Sequence, residues 1–337
     1  MSRRGLSIIL FGLACFFSVL PLSAATYTWT GNQSTTDMTD PGNWSPLTGP
    51  PGAGDDIIIP DVTPGNPQPI MSANLDLTTG FVEIDNSAGG TATLDLAGFD
   101  LTATGGFTIE ATTKLLLQGG ETVSPITVNN GTVEYYGGAG LYAGLPGLDA
   151  TVDYNHLIFN GVDTWTLTAA LTATGNLSIS NGTLNANGNN ITVGGNWTNG
   201  ATFISGANAV IFNGGGNQTV NTGGTGVNND FNNFTVNKTA GSISVTNLDV
   251  DGTLTVTDHR DVTFSGTVTA GTVSLAGGAG AGDLIDFAGN VTVATDLDVN
   301  AGPYSVRFRG AANSIQGNVT AGVFNNTGTL TLGNGGD

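Results

Sequence analysis

Short runs in which apolar and small polar residues alternate recur along most of the chain. Clear examples are TLTAALTATGNLSIS at 166–180, ISVTNLDVDGTLTVTD at 243–258 and VTVATDLDVN at 291–300. A period of two places the apolar side chains on one face of a β-strand and the polar ones on the other. Glycine, asparagine and aspartate separate the runs, and these residues suit the backbone conformations of turns. The pattern predicts an all-β chain.

The runs also resemble one another at a distance. The segment at 92–113 matches GTLNANGNNITVGGNWTNGATF at 182–203, and YNHLIFN at 154–160 matches FNNFTVN at 231–237, which suggests a super-unit of roughly 77 to 90 residues. Repetition of this kind is typical of solenoids, in which each coil offers the next the same surface. An array of immunoglobulin-like sandwiches is the alternative, but its modules need about 100 residues each. We therefore predict a single-stranded parallel β-helix, or β-solenoid.

Coil length predicts the size of the solenoid, and the distribution of proline predicts where an N-terminal cap ends and the coils begin. Coils of about 20–25 residues would give about 13 coils, and a rod about 60 Å long at 4.8 Å per coil. Residues 26–70 hold most of the 12 prolines of the chain, and proline blunts an exposed sheet edge. We predict an N-terminal cap at 26–70 and coils over 71–337. Because the chain ends in the repeat pattern GTLTLGNGGD, we expect it to be truncated at the C-terminus.

Residues 1–25 have the layout of a leader for export. Two arginines precede an apolar run at 6–20, and small residues follow it. We predict a cleaved secretory signal peptide, since a membrane-spanning helix needs about 20 apolar residues. The run contains the single cysteine, so the mature chain would form no disulfide and no thiolate metal site. We expect a secreted or cell-surface protein whose mature chain does not insert into a membrane.

The balance of charges limits the partners. The chain holds 26 acidic residues against seven lysines and arginines, for a net charge of −19 at pH 7. Such a chain does not attract nucleic acid or an anionic membrane by charge. Its acids are spread along the sequence, which is typical of solvated surface positions. We therefore predict no nucleic-acid partner.

One dense charged cluster is a candidate for catalysis. It lies at a predicted turn between the strand runs 253–257 and 262–264, and its members are Asp258, His259, Arg260 and Asp261. Glycosidases need a pair of carboxylates, and lyases of this fold class combine a basic residue with acid-bound calcium. A charged turn is more often only solvated, so we predict no enzyme. A polysaccharide-active lyase or glycosidase remains the alternative.

Other residues are candidates for binding. Two pairs of acids would each point outward from one strand face and offer oxygen ligands to Ca²⁺: Asp249 with Asp251, and Asp296 with Asp298. We predict no cofactor and no metal site, and calcium at these acids is the alternative. Trp29 and Trp44 are predicted to seal the first coil, and an aromatic platform for a glycan is the alternative. His156, which aligns with Asn233, is predicted to form a hydrogen bond at a corner.

Several longer segments carry a resemblance to a known group of proteins. YTWTG, NWSP and PGAGDDIIIP, followed by GNWTNGATFISGANAVIFNGGGNQTVN and FNNFTVNKTAGSISVTNLDVDGTLTV, resemble the repetitive β-solenoid regions of secreted bacterial surface proteins. These regions are similar to autotransporter passenger segments and to filamentous-haemagglutinin-type adhesins of the outer membrane. The resemblance covers most of residues 26–337. It implies a structural or adhesive rod that binds a glycan or protein on a host or neighbouring cell.

Overall fold

The computed structural model describes residues 24–62, 65–124, 126–137, 154–258, 260–277 and 283–317, together with the backbone of 141–143 and 330–332. Most of the predicted leader and the C-terminal end that we expected to be truncated lie outside these residues. Within the described part, no helix has the length and apolar character needed to cross a membrane.

The described chain consists of short β-strands and one 3-10 helix at Pro41–Asn43. The strands up to the middle of the chain are β1 (Thr26–Trp29), β2 (Trp44–Ser45), β3 (Asp56–Pro60), β4 (Leu75–Asp76), β5 (Phe81–Asp85), β6 (Thr93–Asp95), β7 (Leu101–Thr102), β8 (Gly106–Ile109), β9 (Lys114–Leu117), β10 (Val128–Asn129), β11 (Thr132–Tyr135), β12 (Leu141–Ala143), β13 (His156–Phe159), β14 (Thr164–Thr166), β15 (Leu171–Ala173) and β16 (Leu177–Ile179). The remaining strands are β17 (Thr183–Asn185), β18 (Ile191–Val193), β19 (Trp197–Asn199), β20 (Thr202–Ile204), β21 (Ala209–Phe212), β22 (Gln218–Asn221), β23 (Asn233–Asn237), β24 (Ile243–Val245), β25 (Leu248–Asp258), β26 (Val262–Phe264), β27 (Val268–Leu275), β28 (Leu284–Phe287), β29 (Val291–Val293), β30 (Leu297–Val299), β31 (Ser305–Phe308), β32 (Ser314–Ile315) and β33 (Leu330–Leu332).

Strands one coil apart pair in parallel and form long sheets. The largest sheet has 12 strands in the order β33-β31-β28-β26-β24-β22-β19-β16-β13-β11-β9-β6, and another has nine. The predicted parallel β-solenoid is confirmed, with about 11 turns and therefore a length of about 50 Å. The first coil is longer than the expected length of about 20–25 residues: the backbone N–H of Ala25 donates to Asp55, 30 residues further on, at 3.1 Å.

The apolar side chains of successive coils stack into ladders inside the solenoid. One such ladder, in the nine-stranded sheet, consists of Leu171, Ile191, Val210, Phe234, Leu254, Val273 and Leu297. All of them are buried, and full burial of one side chain of this size stabilises the fold by about 1.5–3 kcal/mol. The alternation of apolar and polar residues in the sequence therefore corresponds to the alternation of core-facing and solvent-facing side chains in the strands.

Asparagine side chains connect the coils at one corner. The Nδ1 atom of His156 accepts the backbone N–H of Asn176 at 3.0 Å, and Oδ1 of Asn176 accepts the N–H of Asn196, 20 residues further on, at 2.8 Å. The predicted corner role of His156 is confirmed. Close contact of coils also explains the glycines, since a Cβ atom on Gly214 would lie 1.7 Å from the carbonyl oxygen of Gly194.

The repeats matched in the sequence do not occupy equivalent places in the coil. Strand β6 belongs to the 12-stranded sheet, whereas β17, its partner in the alignment, belongs to the four-stranded one. Likewise β13 lies in the 12-stranded sheet and β23 in the nine-stranded sheet. The predicted super-unit is therefore wrong, and the repeating unit is the single coil. Strands from different faces look alike because each has the same alternation and the same type of corner.

The N-terminal edge of the stack carries the one antiparallel pair among the described strands. Strand β2 pairs with β1 in antiparallel fashion, with Trp29 opposite Trp44, and it ends the six-stranded sheet. The other side of β1 pairs in parallel with β3. Strand β2 thus covers the first edge, which would otherwise offer unpaired backbone groups to other strands.

Candidate ligand-binding face

The charged cluster predicted at 258–261 lies between β25 and β26. Arg260 directs its Nη1 atom towards Oδ1 of Asp283, in the next coil, at 3.7 Å. Its guanidinium therefore interacts with a neighbouring coil. His259 lies outside the described residues. The prediction that this cluster has no catalytic role stays untested, as does the alternative of a polysaccharide-active site.

The two acid pairs predicted to bind calcium are separated from each other. Asp249 lies opposite Thr269 of the next coil, and Asp298 lies opposite Ser274 of that same coil. The pair Asp249 and Asp251 therefore lies two coils before the pair Asp296 and Asp298. At about 4.8 Å per coil, the two pairs are about 10 Å apart along the stack. Calcium binding by either pair stays an untested alternative to the prediction of no metal site.

Asp249 belongs instead to a local group of three acids. Burial raises the pKa of Asp230, and the negative charges of Asp251 and Asp249 raise it further. The pKa of Asp249 is also raised, by burial and then by Asp251, although a backbone hydrogen bond from Gly226 opposes the shift. Like charges gathered in this way destabilise the fold at neutral pH.

A second acidic group was missed in the sequence. Oxygen atoms of Glu83, Asp85 and Glu110 lie within 4.8 Å of one another. Two of the acids have local partners: Asp85 accepts the backbone N–H of Ser87 at 2.8 Å, and Glu110 accepts that of Asn86 at 3.0 Å. The strand pattern places Glu83 opposite Thr108, so only knowledge of the coil register would have brought Glu110 into this group.

The two tryptophans do not form a glycan platform. Trp29 and Trp44 are 1% and 0% exposed, and their rings meet edge to face at a centroid distance of 5.1 Å. Their Nε1 atoms donate to the carbonyl oxygens of Pro67 at 2.9 Å and Met38 at 2.8 Å. The platform prediction is wrong, because a sugar can stack only on a ring face that solvent reaches.

The most unusual polar group lies on the outer side of the 12-stranded sheet, and we call it the arginine face. Its members are Asp286 on β28, Arg307 on β31 and Arg309 directly after β31. Asp286 lies opposite Thr263 on one side and opposite Arg307 on the other. Arg309, two residues after Arg307, extends from the same side of the strand. Two consecutive coils therefore build this face, and Thr263 lies beside it in the coil before.

Both arginines hold the same carboxylate. Arg307 donates from Nε to Oδ1 at 3.1 Å and from Nη2 to Oδ2 of Asp286 at 2.6 Å. Arg309 repeats the arrangement at 2.9 and 2.8 Å. Burial acts to raise the pKa of Asp286, but the hydrogen bonds from the two arginines outweigh it, so that the pKa is lowered. One anion between two cations leaves a net positive charge on the arginine face.

A stack of aromatic rings supports the arginine face from inside. Phe264, Phe287 and Phe308 follow Thr263, Asp286 and Arg307 by one residue and point into the core. Their ring centroids are 4.8 Å apart at each step, with interplanar angles of 10° and 2°. Stacked aromatic pairs contribute about 0.5–1.5 kcal/mol beyond the area they bury. This packing fixes the backbone from which the charged side chains extend.

A neutral groove lies on the same sheet at earlier coils. Its volume is about 350 Å³, and its lining includes Thr132, His156, Ile158, Asn176, Ser178, Asn196 and Thr198. Burial lowers the pKa of His156, so its imidazole is uncharged at neutral pH. The outer side of this sheet thus carries hydroxyl and amide groups at β13, β16 and β19 and charged groups at β28 and β31.

The fold defines the chain as a β-solenoid protein with a polar outer surface. Comparisons with models of protein families, with curated proteins and with solved structures gave no match to this chain. The resemblance to autotransporter passengers and filamentous-haemagglutinin-type adhesins therefore stays a prediction.

Proposed function

We propose that the chain is an exported, non-enzymatic rod of the bacterial cell surface that acts in adhesion. The observation that carries this proposal is the continuous register of the 12-stranded sheet from β6 to β33. Each coil rests on its neighbour across the whole sheet, so most residues serve mutual support. A stack of this kind extends a binding surface away from its origin, which is the use that solenoid proteins make of it.

The outer surface supports adhesion better than catalysis. One outward column of the nine-stranded sheet consists of Thr172, Thr192, Ile211, Thr235, Thr255, Ser274 and Asp298. Short side chains in a regular column give a flat surface that suits an extended partner. A catalytic centre instead needs an acid, a base and a substrate pocket brought together.

Bead adhesion and whole-cell proteolysis test this proposal. The full chain with its leader is produced in a bacterial host, and added protease is expected to digest it on intact cells while a variant without residues 1–25 is protected. Beads coated with the purified protein should bind cells or surface glycans more than albumin-coated beads do. Equal binding by both kinds of bead would refute adhesion.

The enzymatic alternative has its own assay. Uronate polysaccharides are incubated with the protein, with Asp258→Ala and with Arg260→Ala. We expect no turnover by any of the three. Turnover by the original chain that both variants lack would overturn the non-enzymatic role and would identify the charged turn as a catalytic site.

A further inference from the structure

We infer that the arginine face binds the carboxylate group of an acidic sugar, and this inference rests on the proposed adhesive function. Arg307 and Arg309 use their Nε and Nη2 atoms to hold Asp286. Among the described residues, neither Nη1 atom has a hydrogen-bond acceptor. Each guanidinium carries five N–H donors in a planar fork, so its second edge, between Nη1 and Nη2, is left for a ligand.

Solvent reaches these side chains. Arg307 and Arg309 are 39% and 44% exposed, whereas Asp286 is 6% exposed. The buried carboxylate therefore acts as the support and the guanidinium groups are the accessible part. A planar fork matches a carboxylate with two parallel hydrogen bonds, which are among the strongest in proteins.

The arginines are held in place before any ligand arrives. Arginine has a long side chain whose immobilisation on binding costs about 0.5–1.5 kcal/mol. Here two hydrogen bonds to Asp286 already fix each guanidinium, and the stacked rings of Phe264, Phe287 and Phe308 hold the strands beneath. Most of this loss of side-chain entropy therefore occurs when the protein folds and not when the ligand binds. The affinity for a ligand is higher as a result.

The surroundings of the arginine face favour a glycan over a protein. A hydroxyl column formed by Ser244 and Thr263 runs along the sheet to Asp286 and offers hydrogen bonds to sugar hydroxyls. Protein interfaces instead depend on buried aromatic and large apolar anchors. Among the described residues, the exposed large apolar side chains all lie outside β24, β26, β28 and β31.

The net charge of the chain selects a ligand with few charges. A polyanion such as duplex DNA, with one charge per about 1.7 Å, is repelled by a protein of net charge −19. A single carboxylate on an otherwise neutral sugar chain meets the positive arginine face and little of that repulsion. The ligand is therefore an oligosaccharide that carries an isolated uronic acid or a similar carboxylated sugar.

A matched pair of sugars tests this inference. One trisaccharide ends in glucuronic acid, and the other is identical except that it ends in glucose, so that only the carboxylate differs. Both are titrated into the full chain by calorimetry or ligand-observed NMR. We expect the acidic trisaccharide to bind at least about tenfold more tightly, the increment of a charged hydrogen-bonded pair.

Variants identify the arginine fork as the cause. Arg309→Gln should weaken binding of the acidic sugar about tenfold, because Arg307 still holds Asp286 and the fold is kept. Arg309→Lys keeps the charge but not the fork, so it should weaken binding by a smaller factor. Lys114→Gln is the matched control and should stay within about twofold, since it removes an equal charge elsewhere.

The inference is overturned by equal affinity for the two sugars, by equal loss in Arg309→Gln and Lys114→Gln, or by full affinity in Arg309→Gln. Circular dichroism and the melting temperature show that each variant is folded. Bead adhesion is measured on the same variants. Adhesion that persists in Arg309→Gln while the sugars fail to bind would refute the acidic-sugar site and leave the proposed adhesive function intact.

Discussion

Two sites in this protein use scarce cations in opposite ways. Lys238 is 0% exposed, and its ammonium group donates to the carbonyl oxygens of Gly214 and Gly216 and to Oε1 of Gln218. In the arginine face, the cations are partly exposed and only one edge of each is engaged. A cation whose donors are all satisfied within the chain stabilises the coils, whereas a cation with donors left over can serve a ligand.

The cage around Lys238 depends on the corner that surrounds it. Gln218 takes part on both sides: its Oε1 accepts from Lys238, and its Nε2 donates to the carbonyl oxygens of Val193 at 3.1 Å and Gly195 at 2.5 Å. Burial lowers the pKa of Lys238, and the three acceptors provide the interactions that water would otherwise supply. Lys238 and Gln218 together thus connect three successive coils.

The largest effect is expected for Lys238→Met. The change removes the donor to the buried carbonyl oxygens of Gly214 and Gly216 and one of the two donors to Oε1 of Gln218. The unfolding free energy should therefore fall by about 3 kcal/mol or more. Lys114→Met is the matched control: its ammonium has Glu134 as partner at 2.8 Å and is 31% exposed, so the loss should stay below about 1 kcal/mol. Urea denaturation measures both. Equal losses in the two variants would show that the cage does not stabilise the fold.

Asp286→Asn should have the next largest effect. It removes the anion that holds Arg307 and Arg309 and brings two uncompensated cations together, so we expect a loss of about 1–3 kcal/mol. Asp261→Asn, at an exposed position in the same part of the chain, should change stability by less than about 0.5 kcal/mol. Thermal unfolding measures the difference. A stability loss for Asp286→Asn no greater than that of the control would contradict the supporting role of this carboxylate.

The pH dependence of stability should show the acids and the arginine face acting in opposite directions. The pKa values of Asp230, Asp249 and Glu83 are raised in the folded state, so folding takes up protons as pH falls from neutral, and stability rises. The pKa of Asp286 is lowered below 3.8, so its contribution is lost as pH falls further. We expect a maximum near pH 4, with a gain over pH 7 of about 1 kcal/mol. A melting temperature that falls steadily below pH 7 would contradict this.

The smallest effect is expected for Asp249→Asn. It removes one of three like charges beside Asp230 and Asp251, so stability at pH 7 should rise by about 0.2–1 kcal/mol. Asp298→Asn, opposite Ser274, is the control and should be nearly neutral. Calcium chloride and a chelator are added to both proteins in thermal unfolding. A stabilisation by calcium that Asp249→Asn abolishes would support the predicted metal site instead.

The sequence was sufficient for the fold class but not for the register. Alternation and glycine corners predict a parallel solenoid, because core and solvent sides repeat with every strand. The faces of a coil carry the same alternation, so alignment placed β13 against β23 although they lie in different sheets. The local pattern contains nothing that distinguishes one face from another.

The candidate site was missed for the same reason. SVRFRG places Arg307 and Arg309 on one side of a strand, and Asp286 precedes Arg307 by 21 residues, one coil. The predicted coil length of about 20–25 residues includes this spacing, but only the register of β28 against β31 places Asp286 opposite Arg307. The burial of Lys238 is harder to predict from the sequence. Its polar neighbours in NKTAGS suggest a solvent-exposed position, and the acceptors around its ammonium group come from residues 214–218 of the previous coil.

The corner asparagines have a consequence for how such a protein changes length. Asn176 accepts the backbone N–H of Asn196, which occupies the same corner position 20 residues later. A duplication of residues 176–195 would therefore insert a turn whose neighbours above and below already fit it. Tandem duplication in the gene would lengthen the molecule in increments of about 5 Å per coil. Each added coil would make the same contacts with its neighbours as the existing coils do.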